Sequence, residues 1–135
     1  TGRTYNQTSN GTYGQFISAV TPGESAGIES RPLQLLQVEE SSRFRSNIGF
    51  AEVTGNPVTL ELSFIPPDTK FTSVTELRLG ANEFRQLGSV LRSVGLADTF
   101  NTRVTVRVIE GNGRVTAYAS VIDQLTNDPT YVPAQ

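Results

Sequence analysis

The 135-residue chain has no cysteine, histidine, methionine or tryptophan. Without Cys there is no disulfide staple and no thiolate nucleophile. Without His and Cys together, a Ser-His-Asp triad, a Cys-His dyad and an imidazole zinc site are all excluded within the chain. Lysine is nearly absent as well: ten of the eleven basic residues are Arg, and Lys70 stands alone. Apolar runs reach only four residues even with Gly and Pro counted, about a fifth of the roughly 20 needed for a membrane-spanning helix. A net charge of -2 with no block of like charge argues against a nucleic-acid partner, whose affinity rests on clustered positive charge. An opening on Thr1 without an initiator Met reads as a processed product or a piece of a longer protein. Abundant Thr, Ser, Asn and Gln with no oxidisable sulfur point to an extracellular or cell-surface location.

What is present is a phrase said twice. Asn6-Gln7-Thr8-Ser9-Asn10-Gly11-Thr12-Tyr13 near the start answers Asp123-Gln124-Leu125-Thr126-Asn127-Asp128-Pro129-Thr130-Tyr131 near the end. With one gap, Asn6 aligns with Asp123, Gln7 with Gln124, Asn10 with Asn127, and Thr12-Tyr13 with Thr130-Tyr131. Two strand patterns precede the second copy, whereas only five residues precede the first. The organisation expected is therefore residues 1–20 as the tail of a preceding repeat or a donor strand, followed by one β module over 21–135.

Period-two alternation dominates that module. Val58, Leu60, Leu62 and Phe64 share one face, as do Val104, Val106 and Val108, and Val115, Ala117, Ala119 and Val121. Phe44, Ile48 and Phe50 share another, interrupted by Ser46. Leu33–Leu35 and Glu76–Leu79 read as shorter strands. Gly111-Asn112-Gly113 is a hairpin turn, with Glu110 and Arg114 placed to pair across it, and Thr54-Gly55-Asn56-Pro57 reads as a second hairpin. Phe84, Leu87, Val90, Leu91 and Val94 recur at three and four. Gly88 interrupts them, which predicts a strand near 84–87 and then one or two helical turns closed by Gly95. Thr21 to Ser30 reads as a loop. The sum is an all-β, antiparallel β-sandwich with one short helix, a barrel being the alternative. The predicted core comprises Phe44, Ile48, Phe50, Leu60, Leu62, Val104, Val106, Val108, Ala117 and Ala119.

Several segments resemble a known family. Arg43-Phe44-Arg45-Ser46-Asn47-Ile48-Gly49-Phe50 resembles the "FRTNIGLVN" opening of β modules in large secreted bacterial proteins. Ala117 to Asp123 with Asp128 to Ala134 resembles their "AYASVVDNRTGDPTYVPA" close. Arg3 to Asn6 with Gly11 to Ile17 resembles the "SRTYN…GTYGQFIP" link between two such modules. The resemblance implies an immunoglobulin-like sandwich, extracellular and non-catalytic, and it transfers no active site. Here the first module is only a terminal scrap.

Candidate chemistry is sparse. The turn carrying Asp123, Asn127 and Asp128 offers oxygen ligands suited to calcium, or Asx side chains bracing their own turn. No cofactor is implied. Glu39 and Glu40 are adjacent, point to opposite faces if on a strand, and read as solvated loop charges. Lys70, in a Pro-rich turn, reads as a solvated lysine rather than a catalytic or isopeptide-forming one. Asn6 and Asn10 head Asn-x-Thr sequons and are glycosylation candidates. Tyr5, Tyr13, Tyr118 and Tyr131 read as cross-strand packing within the sandwich, with a sugar-stacking platform as the alternative. Two functions follow as expectations. One is a structural module that assembles with itself or neighbouring domains by β-strand addition, with Arg3, Tyr5, Thr12, Tyr13 and Phe16 as assembly residues. The other is an accessory module binding carbohydrate, cell wall or substrate for a larger secreted enzyme.

Overall fold

The computed structural model describes residues 2–9, 11–68 and 72–135. Strands β1 (Gly2–Thr8) and β2 (Gly11–Ile17) form a two-stranded antiparallel hairpin. A 3-10 turn, Pro22–Glu24, leads into β3 (Leu33–Glu40), β4 (Phe44–Glu52), β5 (Val58–Ile65), β6 (Ser73–Leu79) and β7 (Phe84–Leu87). The short helix α1 (Val90–Ser93) precedes β8 (Thr99–Gly111), β9 (Val115–Asp123) and β10 (Pro129–Pro133). The long strands form two antiparallel four-stranded sheets: a front sheet in the order β10-β9-β4-β7 and a back sheet in the order β3-β8-β5-β6. The fold is all-β and sandwich-like. Among the described residues no helix is long and apolar enough to cross a membrane.

Alternation decides what lies between the sheets. In β5 every second residue is buried, and Leu60, Leu62 and Phe64 are wholly inaccessible. They meet Ile48, Phe50, Ala117 and Ala119 of the front sheet in one continuous apolar cluster that also takes in Leu35, Val104 and Val106. Each large aliphatic or aromatic side chain so buried contributes roughly 1.5–3 kcal/mol. Nine of the ten predicted core residues are buried. Phe44 is the exception: it lies half-buried at the start of β4, with the Arg43 guanidinium 5.2 Å from its ring centroid. The serine that interrupts its face, Ser46, is fully buried instead. Ser46 Oγ donates to the Glu39 carbonyl and Glu39 N donates to Ser46 Oγ, so the hydroxyl is satisfied where a phenyl ring was expected to dominate.

The short helix lies where the pattern placed it. Val90 and Leu91 are buried against the core. Its end carries a Schellman motif, in which Gly95 N donates to the Arg92 carbonyl and Leu96 N to the Leu91 carbonyl. Gly95 takes φ +85°, a conformation that disfavours any residue with a Cβ.

Two turn assignments are corrected. Thr54–Pro57 does not join a hairpin, because β4 pairs with β7 and β9 whereas β5 pairs with β6 and β8. The segment crosses from one sheet to the other. Gly111–Gly113 is no hairpin either: β8 pairs with β3 and β5, and β9 with β4 and β10, so this segment also crosses between the sheets, and Glu110 and Arg114 do not pair across it. Glu110 accepts from Thr59 Oγ1 on the neighbouring strand, and Arg114 reaches Ser25.

Glu40 is a third correction, since it is fully buried rather than a solvated loop charge. The cause is a pair of compensating bulges. Pairing runs Leu35↔Val104, Val38↔Thr102, Glu40↔Thr99, so β3 carries an extra residue first and β8 then carries one. Gln37 and Asn101, in the bulges, take φ +57° and +54°. The slip of one residue turns Val38 and Glu40 inward in place of Gln37 and Glu39. Ser46 N donates to Glu40 Oε2, and the Arg92 guanidinium from α1 lies 3.2 Å from Oε1.

Candidate functional site

The hairpin and the surface beneath it hold most of the residues that the sequence singled out. Cross-strand register sorts the hairpin into two faces. Arg3↔Phe16, Tyr5↔Gly14 and Gln7↔Thr12 share one side, and Thr4↔Gln15 and Asn6↔Tyr13 share the other. Tyr5 and Phe16 are 62% and 57% exposed, so their side faces away from the sandwich. Of the five expected assembly residues, Arg3, Tyr5, Thr12 and Phe16 therefore lie together on the outward face. Tyr13 belongs to the inward one and is half-buried.

The inward face rests over the outer surface of the front sheet. Ser120 Oγ donates to Gln15 Oε1 at 2.9 Å. By alternation Ser120 points out of the sandwich, yet it is only 3% exposed, as expected of a residue that the hairpin covers. Thr4, Asn6, Gln15 and Ile17 wall one side of a cleft of about 340 Å³, and side chains of β4, β7, β9 and the 123–129 turn wall the other.

The tyrosines are brought together in part. Tyr118 and Tyr131 stack with ring centroids 5.6 Å apart, and Phe84 stacks on Tyr118 at 6.5 Å, the planes 9° apart. This row lies on the outer surface of the front sheet, not within the sandwich. Tyr118 lies across Gly49, where any added Cβ would overlap its ring, and its hydroxyl donates to Gln86 Oε1 at 2.9 Å. Burial raises the phenol pKa of Tyr118, with Tyr131 adding to the effect, and burial also raises that of Tyr131. Tyr5 takes no place in the row. Sequence reading places Phe84 in a strand near 84–87 but misses it as a member of the row, because local pattern does not specify that this strand pairs with β4.

In the Asp123–Asp128 turn, Asp123 Oδ1 accepts from Leu125 N at 2.8 Å. Its Oδ2 accepts from the Arg43 guanidinium at 3.1 and 3.2 Å. The Leu125 amide and the Arg43 charge hold this carboxyl below its ordinary pKa, against a smaller opposing effect of burial. Asn127 N donates to the Asp123 carbonyl, Asp123 N donates to the Asp128 carbonyl, and Asp128 N donates to Thr126 Oγ1. Asn127 takes φ +60° and lines the cleft. Among the described residues no three His, Cys, Asp or Glu side chains gather as a metal set. Asn6 lies on the inward, cleft-lining side of the hairpin. Asn10 and Lys70 lie outside the described residues.

The most heavily bonded carboxylate was not foreseen. Glu52, 4% exposed, accepts from Thr54 N, Thr54 Oγ1, Gly55 N, Asn82 N and Arg114 N at 2.5 to 3.3 Å. It ties the inter-sheet crossover to the β6–β7 and β8–β9 turns. Burial pushes its pKa up, but the donors from Thr54, Asn82 and Gly55 together outweigh burial and bring it to about 2.

No protein-family model matches the chain, and neither does any curated protein compared with it. Among solved structures, the crystal structure of Thermotoga maritima 1070 is similar in fold, with a TM-score of 0.59 and 14% sequence identity. The likeness covers 78% of this chain and 90% of that one. At such identity it speaks to the fold alone.

Proposed function

We propose that the chain is a non-catalytic structural module of an extracellular protein, immunoglobulin-like in kind, that joins copies of itself or neighbouring modules by β-strand addition. The carrying observation is the hairpin. It forms a sheet of two strands, and β1 is exposed along its whole length. A lone two-stranded hairpin is marginal in water. This one adds little apolar burial of its own, while Tyr5 and Phe16 face outward. Such an element gains stability when its outer strand or outward face meets another unit. Main-chain hydrogen bonds would supply affinity there, and Arg3, Tyr5 and Phe16 selectivity. A head-to-tail contact of this sort does not close on itself and extends into a filament. The test is light scattering on the intact chain and on a form lacking residues 1–17. Self-association of the first and a folded monomer for the second are expected; a monomeric intact chain at high concentration removes the reading.

The aromatic row Phe84–Tyr118–Tyr131 favours a second reading, an accessory module that binds carbohydrate for a larger secreted protein. Flat aromatic surface offers the faces of sugar rings a matching apolar partner.

A further inference from the structure

We propose that the cleft between the hairpin and the front sheet is a binding site for an acidic sugar, a hexuronate unit of a polysaccharide. The inference rests on the accessory-binding reading and gives it a location and a ligand class. The cleft, at about 340 Å³, falls within the range of about 300–1,000 Å³ of small-molecule sites. Its lining is dominated by carboxamides: Asn6 and Gln15 from the hairpin, Asn47 from β4, Gln86 from β7 and Asn127 from the closing turn.

The orientation of three of these amides sets the ligand chemistry. Gln15 Oε1 accepts from Ser120 Oγ, Asn47 Oδ1 from Ser89 N at 3.2 Å, and Gln86 Oε1 from the Tyr118 hydroxyl. Each carbonyl oxygen is thus held by a protein donor. The three NH2 groups have no protein partner among the described residues, so the cleft presents donors. Arg45, whose Nη1 lies 3.4 Å from Asn47 Oδ1, is the one charged side chain in the lining, and no carboxylate opposes it there.

A ligand that fits must be rich in acceptor oxygens, carry negative charge and tolerate an aromatic surface. A hexuronate meets all three conditions. Its ring and hydroxyl oxygens accept from the amides, its carboxylate pairs with the guanidinium, and its apolar C–H groups meet the part of Tyr118 that lines the same cleft. Neutral sugars meet only two of the conditions.

Calorimetric titration of the full chain with a galacturonate trimer and with a neutral galactose trimer tests the site. Saturable binding of the acidic trimer is expected, with the neutral one at least tenfold weaker. Arg45→Gln should weaken the acidic trimer by about tenfold, the loss of roughly one charge-assisted hydrogen bond. Gln15→Ala should weaken it about threefold, with an unchanged circular dichroism spectrum. Light scattering on the same two variants separates this site from the assembly reading, because neither residue lies on the outward hairpin face. Failure of the acidic trimer to bind, equal binding of both trimers, or binding indifferent to Arg45→Gln and Gln15→Ala each overturns the proposal.

Discussion

Two glutamates at the rims of the sandwich show how a buried charge is held in opposite ways. Glu52 is surrounded by donors and keeps its charge at low cost. Its folded-state pKa of about 2 lies below the ordinary 4.5. The carboxylate therefore contributes its full stabilisation above about pH 4.5, and that contribution is lost as pH falls towards 2. Thermal unfolding followed across pH 2–7 should show a declining acid limb. Glu52→Gln should lower stability at pH 7 by on the order of 2–3 kcal/mol, since an amide turns an NH2 towards backbone N–H groups. The same variant should flatten the acid limb; an unaltered limb would place the acid sensitivity elsewhere. Glu40 depends chiefly on one ion pair, with Arg92. Arg92→Ala leaves its charge buried and should destabilise by roughly 3 kcal/mol, whereas the double change with Glu40→Leu should restore most of the loss. Neither role was legible in the sequence. Glu52 depends on donors from three separate segments. Glu40 reads in the sequence as a solvated loop charge, whereas β3 runs on through it and the paired bulges turn it inward.

Strands were the readable elements, and their irregularities were not. In β5 alternation continues unbroken, and in β9 it holds from Val115 to Ala119, so inward and outward faces follow directly from the residue order there. In β3 and β8 the bulges sit at Gln37 and Asn101, neither of which is a glycine that would have announced a left-handed residue. Phe100 is accordingly turned outward, 63% exposed, while the smaller Thr99 turns in. The supposed hairpin at Thr54–Pro57 had suitable turn residues, but local chemistry does not specify which sheet the following strand joins. The internal repeat shows the same limit. By the sequence alignment Tyr13 and Arg3 correspond to Tyr131 and Ser120, a paired couple in β10 and β9. Yet Tyr13 pairs with Asn6, because the first copy turns more tightly. On the front sheet, Gly49 is the element-level test of the aromatic row. Gly49→Val must displace the Tyr118 ring. It should leave the sandwich folded, break the Tyr118–Gln86 hydrogen bond, and change tyrosine fluorescence and near-ultraviolet dichroism. Unaltered spectra would mean that Tyr118 does not lie over Gly49.

At the scale of the molecule the chain joins a large core to a light appendage, and the two should differ in local stability. The sandwich has buried strands in both sheets, bonded on both edges in β4, β5, β8 and β9. The hairpin is held by its own ladder and by contacts such as Gln15–Ser120. Opening free energies span the range from near zero at marginal elements to the global value at core strands. Amide exchange should therefore be fast in β1 and slow in β5 and β8. Strand addition carries a further signature, because an outer strand that gains a partner gains protection. Exchange in β1 should slow as protein concentration rises, in step with the mass seen by light scattering, whereas β5 should not change. Protection in β1 that is independent of concentration but as high as in β5 would instead make the hairpin part of the folded core. Fast exchange at every concentration would leave it a monomer's lid over the cleft, the arrangement in which Gln15 serves the ligand site alone.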